Sequence, residues 1–434
     1  MPALETAVAS PRIRELARAV EQGDDGAVDR FWSEVATAGT PLKEAWGDDG
    51  SQTLATFLWR DPGETDNVLV LFYSAPKQGD LSEYRMEHLP QTDVWYRSYV
   101  LPSDLRTTYL LSVDDSLVPF ESYADVLARI PSYRPDPLNP RDFTIYGNPH
   151  EFTVSVLELP RAPAQPWNIP RKGVPKGRSR MHLMDSDVLG TRQHLTVHVP
   201  PGYSTQGEEY DLLLLFDGWA YFNFAATTTV LDNLLFAGRI PPYVLVMHSN
   251  LDQEARAREL PCHPPFAEHL MTELMPWVHE NYHVTTDPSR TVVAGSCFGG
   301  LAAAYVAFTH PERFGNVISQ SGSFWWPGPD VPGVQEEWLT EQFRTSPTLP
   351  VRFSIEVGSL ERAIVEYDQL TTNHTLRDVL VAKGYEVDYS EYTGGHDLIC
   401  WRGSLVQRLL SLRREDRARP PRAAHPVREM TGDE

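Results

Sequence analysis

A cysteine flanked by glycines stands between an apolar run and an alanine-rich run. Residues 290–305 read Arg-Thr-Val-Val-Ala-Gly-Ser-Cys-Phe-Gly-Gly-Leu-Ala-Ala-Ala-Tyr, with Cys297 at the centre of a Gly-x-Cys-x-Gly turn. Between a strand and a helix, such glycines permit the tight turn that lifts a nucleophile above a sheet. The positive end of the following helix favours a thiolate. We predict that Cys297 performs covalent acyl transfer; a small buried cysteine in a packing turn is the alternative.

A cysteine nucleophile needs a base and a group that orients the base, in the chain order nucleophile, acid, histidine. His396 lies in a glycine-rich loop after a predicted strand at 386–391, and we predict that it is the base. Glu361 follows a predicted strand at 351–356 and is the preferred acid. Asp368 and Asp397 are alternative acids, and a pair without any acid also remains open.

Acyl transfer also needs two N–H groups that bind the developing oxyanion. The N–H of Phe298, directly after the nucleophile, is the first candidate. The second is expected from Gly218 or Trp219, which follow a predicted strand at 210–216. An ordinary turn at the end of that strand is the alternative.

Residues 279–283 read His-Glu-Asn-Tyr-His and match the pattern of zinc proteases. The match falls at the end of a predicted amphipathic helix at about 266–282. A zinc site needs a helix that continues through the second histidine and a further ligand, and neither is evident. We therefore predict a surface helix, no metal site and no required cofactor.

The helices and strands that must position these residues are predicted in two regions of the chain. Short aromatic and β-branched runs between residues 54 and 114 predict an antiparallel sandwich, and apolar spacing at about 13–35 predicts a leading helix. From residue 181 apolar strands alternate with helices, which is typical of a parallel sheet covered on both faces. The predicted fold is α/β: an all-β, immunoglobulin-like sandwich followed by an α/β-hydrolase domain.

The predicted boundaries are an N-terminal domain at 1–165, a linker at 166–180, a catalytic domain at 181–415 and a mobile tail at 416–434. The linker prediction rests on dense prolines and on the basic stretch 171–180. That stretch is either a solvated hinge or part of an anion-binding rim.

Composition limits the partners. The net charge of −21 disfavours nucleic acid, although a few local arginines can still bind a small anion. No apolar run approaches the roughly 20 residues of a membrane helix, so no membrane partner is expected. Three cysteines, Cys262, Cys297 and Cys400, do not indicate a disulfide scaffold, and the first 35 residues lack an export signal pattern. We expect a cytoplasmic protein.

Motifs spread over nearly the whole chain carry a family resemblance. They include Trp-Arg-Asp at 59–61, Leu-Phe-Asp-Gly-Trp at 215–219, the cysteine segment at 291–301, Ser-Gln-Ser-Gly-Ser-Phe-Trp-Trp at 319–326 and Gly-Gly-His-Asp-Leu-Ile-Cys-Trp-Arg at 394–402. The chain resembles the enterochelin esterases, cytoplasmic enzymes that hydrolyse the trilactone of catecholate siderophores to release iron.

The resemblance implies roles for particular residues. The family's catalytic serine corresponds to Cys297, its histidine to His396 and its acid position to Glu361. It also implies that four residues near the pocket hold an anionic aromatic ligand; they are Arg256, Trp325, Trp326 and Arg402. From the residues alone, a tryptophan pair fits a protein core equally well.

The cysteine departs from the family and opens alternatives. A thiolate leaves a tetrahedral intermediate more readily than an alkoxide, so ester cleavage requires His396 to protonate the departing alcohol. The leading hypothesis is hydrolysis of a siderophore-type ester. An acyltransferase or thioesterase that serves a carrier-protein thiol, an amine or an alcohol is the runner-up, and a binding-only protein is a further alternative. Cys297 is either natural or an engineered replacement of serine.

Overall fold

The structure of the protein, a computed structural model, describes residues 10–72, 81–119, 125, 128–146, 151–328, 337–362 and 368–412. The strands in this part of the chain are β1 (Leu42–Trp46), β2 (Gln52–Arg60), β3 (Val68–Phe72), β4 (Glu87–His88), β5 (Val94–Pro102), β6 (Arg106–Val113), β7 (Tyr133–Arg134), β8 (Asp142–Tyr146), β9 (Glu151–Glu158), β10 (Arg178–Ser186), β11 (Thr191–Val199), β12 (Asp211–Leu215), β13 (Tyr243–Ser249), β14 (Thr291–Ser296), β15 (Asn316–Gln320), β16 (Arg352–Gly358) and β17 (Glu386–Tyr392). The α-helices are Pro11–Glu21, Ala27–Ala38, Gly218–Asn223, Thr227–Phe236, Gln253–Glu259, Pro264–His269, Met275–Asn281, Phe298–Thr309, Trp338–Thr345, Gln369–Ala382 and Leu398–Ser411. The tail predicted at 416–434 lies outside the described residues.

Two helices, rather than the single helix expected at about 13–35, precede the first strand. The helix Pro11–Glu21 ends just before Gly23, whose φ of 78° is a left-handed conformation that a helix cannot continue through. The chain restarts as the helix Ala27–Ala38. Apolar spacing alone does not show this break, because both helices turn their apolar faces to one core.

The N-terminal region forms two antiparallel sheets. One has the order β1-β2-β5-β4, and the other has β3-β6-β9-β8 with β7 beside β6. The ring of Phe57 on β2 lies 5.6 Å from Phe72 and 4.8 Å from Tyr109, both on the opposite sheet. The sheets therefore face each other across an aromatic core. That the sandwich is immunoglobulin-like stays a prediction.

The C-terminal region is built on an eight-stranded sheet with the order β10-β11-β13-β12-β14-β15-β16-β17. The strands from β12 to β17 run parallel, whereas β11 pairs with both of its neighbours in antiparallel fashion. Helix Phe298–Thr309 packs on one face and helix Thr227–Phe236 on the other. The region is therefore α/β, with a mostly parallel sheet covered on both faces.

In the C-terminal sheet, strands β10 and β15 escaped the sequence patterns. Strand β10 begins at Arg178, inside the predicted linker, and is an edge strand whose residues are mostly exposed, so it has no apolar run. Strand β15 is buried but contains Asn316, Ser319 and Gln320. The amides of Asn316 and Gln320 are satisfied by hydrogen bonds, which permits their burial in a central strand.

The carboxyl ends of several parallel strands meet at one edge of this sheet. Asp217 follows β12, Cys297 follows β14 and Glu361 follows β16. In open α/β sheets this edge is where ligands bind. Among the described residues, no helix is both long and apolar enough to cross a bilayer.

Candidate active site

Cys297 occupies a strained turn between β14 and the helix Phe298–Thr309. Its φ is 56° and its ψ is −123°, an unusual conformation for a residue with a Cβ atom. A Cβ atom at Gly295 would lie 2.5 Å from the carbonyl carbon of Gly299, so the turn closes only with glycine there. The residue as a whole is half-buried. This is the geometry of a nucleophile elbow.

His396 is linked to Glu361. The Nδ1 atom of His396 lies 2.7 Å from Oε2 of Glu361, and the glutamate side chain has no exposed surface. Its other oxygen, Oε1, accepts bonds from the N–H of Gly358 at 2.8 Å and the hydroxyls of Ser321 at 2.6 Å and Tyr392 at 3.0 Å. These donors satisfy the buried carboxylate and fix the side that faces His396.

The two alternative acids have other partners. Asp368 caps the helix Gln369–Ala382 by accepting a bond from the N–H of Thr371 at 2.9 Å. Asp397 caps the helix Leu398–Ser411 and also accepts bonds from Thr108. Of the three acids considered from the sequence, Glu361 is the one bonded to the His396 ring.

Charge at the site favours a thiolate. Burial raises the pKa of the Cys297 thiol, but the charge and hydrogen bond of His396, with Arg256 and Ser323, lower it to about 6. Burial lowers the pKa of His396, but Cys297 and Glu361 raise it to about 10. Because Nδ1 of His396 faces Glu361, Nε2 is the ring nitrogen left to interact with Cys297. The opposite shifts of the two pKa values favour a thiolate on Cys297 and an imidazolium on His396.

An arginine completes the positive surroundings of the thiol. Arg256 makes two bonds to the Asp217 carboxylate, of 2.6 Å from Nε and 2.8 Å from Nη2. Burial lowers the pKa of Arg256, but Asp217 and Cys297 raise it above its ordinary value. The guanidinium carbon lies 5.6 Å from the centre of the Phe298 ring. Arg256 thus stands beside the thiol with a fixed orientation.

The candidate oxyanion donors stand at the starts of helices. Phe298 and Gly218 are the first residues of their helices, where N–H groups have no acceptor within the helix. A Cβ atom at Gly218 would lie 2.6 Å from backbone and Cβ atoms of Met247, so the close approach there requires glycine. Trp219 is 43% exposed, with its ring 5.2 Å from Phe224.

The other residues predicted to bind a ligand do not all lie near the thiol. The Trp325 ring lies 5.8 Å from Phe298, next to the elbow. Trp326 instead packs at right angles to Trp338, at 6.3 Å between ring centres. Arg402 bonds through Nε to Oε1 of Gln165 at 2.7 Å. These contacts join Trp326 to the core and Arg402 to the N-terminal region rather than to the thiol.

The zinc-protease pattern has no metal geometry. The helix Met275–Asn281 ends before His283, whose Nε2 lies 3.0 Å from the carbonyl oxygen of Gly207. The Nδ1 atom of His279 lies 2.7 Å from the carbonyl oxygen of Met275. Within the described ranges, His, Cys, Asp and Glu side chains form no group of three that could hold a metal ion.

Several residues of the site were not identified from the sequence. Ser323 donates from its hydroxyl to the Cys297 sulfur at 3.4 Å, and its N–H bonds to the Cys297 carbonyl at 3.1 Å. The Trp401 ring lies 4.8 Å from His396, and its Nε1 donates to Ser321 at 3.0 Å. No local pattern marks the contact of Ser323 with Cys297 or of Trp401 with Ser321, because these partners lie 26 and 80 positions apart in the chain.

Comparison with known proteins identifies both regions. A family model described as "Putative esterase" matches residues 186–412, and one described as "Enterochelin esterase, N-terminal" matches residues 54–168. The iron(III) enterobactin esterase of Dickeya dadantii is 31% identical over 87% of this chain and 91% of its own. The iron(III) salmochelin esterase of Escherichia coli O6:H1 is 28% identical over 87% of this chain and 91% of its own.

Solved structures agree with this result. The Shigella flexneri enterobactin esterase, crystallised in the presence of enterobactin, has a TM-score of 0.72 and 30% identity, over 88% of this chain and 97% of that one. The ferric enterobactin esterase of Salmonella typhimurium has a TM-score of 0.73 and 28% identity, over 89% and 98%.

Proposed function

Because the chain belongs to the enterochelin esterase family, we propose that it hydrolyses ester bonds of an iron-binding catecholate trilactone, with Cys297 as nucleophile. The observation that carries this proposal is the line from Cys297 through the His396 ring to the buried Glu361. In the proposed reaction, a thiolate on Cys297 stands beside His396, which donates the proton. The cytoplasmic location expected from the sequence is part of the proposal.

Acylation begins with the Cys297 thiolate, which attacks the ester carbonyl carbon and forms a carbon–sulfur bond. The carbonyl oxygen becomes an oxyanion, and the N–H groups of Phe298 and of Gly218 or Trp219 bind it. The intermediate then breaks its carbon–oxygen bond to the alcohol. His396 gives its Nε2 proton to that departing oxygen, since an alkoxide is a poorer leaving group than a thiolate.

Deacylation uses the same groups in the opposite order. Neutral His396 takes a proton from water, and the hydroxide attacks the thioester. The second tetrahedral intermediate expels the Cys297 thiolate, which restores the thiolate–imidazolium pair and releases a carboxylic acid. Glu361 keeps the His396 ring oriented through both steps, through the 2.7 Å contact with Nδ1.

A cyclic ester adds a constraint. When the thiolate opens a lactone ring, the released alcohol stays attached to the acyl group, and it can attack the thioester and close the ring again. A tethered alcohol has a high effective concentration. Water must therefore compete with reclosure, and we expect a linear ester of the same acid to be hydrolysed more completely per acylation event.

Recognition of the substrate is assigned to the positive and aromatic surface near the elbow. Arg256 provides a fixed positive charge next to Phe298, and Trp325 lies against the same ring. A cation beside aromatic faces suits an anionic aromatic group such as a catecholate, and a ligand that carries iron would bind as cargo of the substrate.

Transfer to an acceptor other than water is the second candidate function. It is favoured by Cys297 itself, because a thioester reacts readily with amines and thiols. A carrier-protein thiol, an amine or an alcohol would then replace water in deacylation. This function predicts that the acyl product depends on the added acceptor.

The test of the proposed function is turnover of a purified tricatecholate trilactone, with and without iron, followed by chromatography of the products. The protein is expected to yield linear acids, and Cys297→Ala is expected to yield none. Cys262→Ala is the matched control, since Cys262 is a buried thiol and burial raises its pKa.

Parallel reactions contain a simple amine or an acyl-carrier thiol mimic. If products form only when the acceptor is present, the function is acyl transfer and not hydrolysis. If the protein binds the ligand but forms no product from a lactone, a linear ester or a thioester, the proposal is contradicted. The remaining alternative is then a protein that only binds its ligand.

A further inference from the structure

The loops that carry the site's base and acid are held by the N-terminal region. Residues 393–397, here named the histidine loop, contain Asp397 directly after His396. Oδ2 of Asp397 accepts a bond from the N–H of Thr108 at 2.6 Å and one from its hydroxyl at 2.7 Å. Thr108 lies on β6, in the middle of a sheet of the N-terminal region. Asp397 is 1% exposed and Thr108 is fully buried.

The acid side is anchored to the same region. Leu360, directly before Glu361, is 8% exposed and belongs to the apolar core of the N-terminal sheets. Its N–H donates to the carbonyl of Gly394 at 3.0 Å, so the acid and the histidine loop are also bonded to each other. Beyond the histidine loop, the Cys400 thiol donates to the carbonyl of Arg106 at 3.1 Å.

Helix capping alone does not account for Asp397. A cap requires one side-chain oxygen, and Oδ1 of Asp397 meets this need by accepting from the N–H of Ile399 at 3.0 Å. Oδ2 is directed entirely at the N-terminal region, since Thr107 also places its hydroxyl 3.4 Å away. A buried carboxylate with several donors tolerates little displacement, because lost bonds leave a buried charge unsatisfied.

We propose that strand β6 of the N-terminal region positions the catalytic histidine, and that Asp397 and Thr108 are positioning residues for the reaction. The inference rests on the proposed function for the identity of that reaction. Asp397 neighbours His396, so a shift of its carboxylate moves the imidazole relative to the thiol. Displacements of about 1 Å can cost about 10²-fold in rate. The N-terminal region thus contributes to catalysis without contacting the reacting atoms.

The test uses Thr108→Val, which keeps the side-chain shape and removes one bond to Asp397. The control is Thr56→Val, because Thr56 is a buried threonine of the same region whose hydroxyl bonds to Ser98 at 2.8 Å. Three experiments are made: thermal unfolding for the midpoint, steady-state kinetics for kcat and KM, and the pH dependence of Cys297 alkylation by iodoacetamide. Alkylation reports the thiolate, and therefore the placement of His396, without any ester substrate.

Thr108→Val is expected to lower kcat about tenfold with KM within about twofold, and to move the alkylation midpoint to higher pH. Thr56→Val is expected to lose comparable thermal stability, while its kcat and its alkylation midpoint stay unchanged. Thr108→Ser, which restores a hydroxyl, is expected to recover most of kcat. Asp397→Asn places an amide against the N–H of Thr108 and is expected to act more strongly than Thr108→Val.

The positioning role is overturned if Thr108→Val and Asp397→Asn both keep the original alkylation profile and kcat. It is also overturned if Thr56→Val changes them as much as Thr108→Val. If the unaltered protein cleaves no ester but Thr108→Val still shifts the alkylation profile, the positioning role stands and the proposed function fails.

Discussion

His396 and Glu361 are joined by a 2.7 Å contact between Nδ1 and Oε2, and the glutamate is fully buried while His396 is 22% exposed. Other buried donors bond to the far oxygen of this carboxylate, and Nε2 is the ring nitrogen left for Cys297, the proposed nucleophile. Because Nδ1 is committed to Glu361, one ring orientation is selected. In the proposed chemistry, Glu361 orients the base and supplies a negative charge that stabilises its imidazolium form.

The pH dependence of Cys297 alkylation follows from this pair. The pKa of Cys297 is lowered to about 6, so the thiolate fraction falls as the pH drops through that value and is nearly complete at pH 7. We expect the iodoacetamide rate to have a midpoint near pH 6. His396→Ala removes the positive charge while burial remains, so the midpoint rises and the rate at pH 7 falls about tenfold or more. An unchanged rate in His396→Ala contradicts the pairing.

Glu361→Gln tests the acid. The amide keeps the size of the side chain but loses the charge that stabilises the imidazolium, so we expect kcat to fall about 10²-fold or more, with a smaller change in KM. The matched control is Asp368→Asn, since asparagine also caps helices well and Asp368 contacts Thr371 rather than His396. Steady-state kinetics of both variants decide the assignment; equal losses of kcat would contradict it.

Gly295→Ala tests the elbow as a packing unit. The added methyl group would overlap backbone atoms of Gly299 at 2.5 Å, and backbone cannot move aside as a flexible side chain can. We expect a loss of about 2–4 kcal/mol in the free energy of unfolding, measured by denaturant titration. Gly26→Ala is the control, because the atoms nearest its added methyl group are side-chain atoms of Arg30, at 2.7 Å, and Asp24 rather than backbone atoms. Similar losses in both variants would contradict the close approach of the two glycines.

Arg256→Met tests charge near the thiol. Arg256 helps to lower the pKa of Cys297, so its loss is expected to raise the alkylation midpoint. KM for an anionic aromatic ester is expected to rise about tenfold, whereas KM for a neutral analogue changes little. Arg258→Met, two residues along the same helix and paired with Glu259 at 2.8 Å, is the control. If Arg256→Met raises KM equally for both esters, Arg256 does not contribute to the preference for an anionic substrate.

The sequence predicted the parts of the site that depend on local turn chemistry. The glycines around Cys297 and the glycine-rich loop at His396 have patterns only a few residues long. The Asp217–Arg256 ion pair and the Asp397–Thr108 contact join residues 39 and 289 positions apart, and no local pattern indicates such pairs.

The fold features that the sequence did not predict also depend on more than a local pattern. Apolar runs located most buried strands of the C-terminal sheet, because burial on both faces favours such a run, but they did not locate β15, whose buried residues include Asn316 and Gln320. They also missed edge strand β10, which needs no such run, and the break at Gly23, which depends on one backbone angle. The predicted domain boundaries stay predictions, although β10 starts within the proposed linker.

Acylation of Cys297 by the substrate is the most direct test of the proposed mechanism. The protein is mixed with the trilactone, quenched in acid after milliseconds to seconds, and measured by intact-protein and peptide mass spectrometry. Because ring opening keeps the alcohol in the acyl chain, the expected adduct has the mass of the whole lactone, lies on the peptide that contains Cys297 and is absent from Cys297→Ala. Hydrolysis of the lactone by Cys297→Ala at the unaltered rate, or an adduct on any other residue, would contradict Cys297 as the nucleophile.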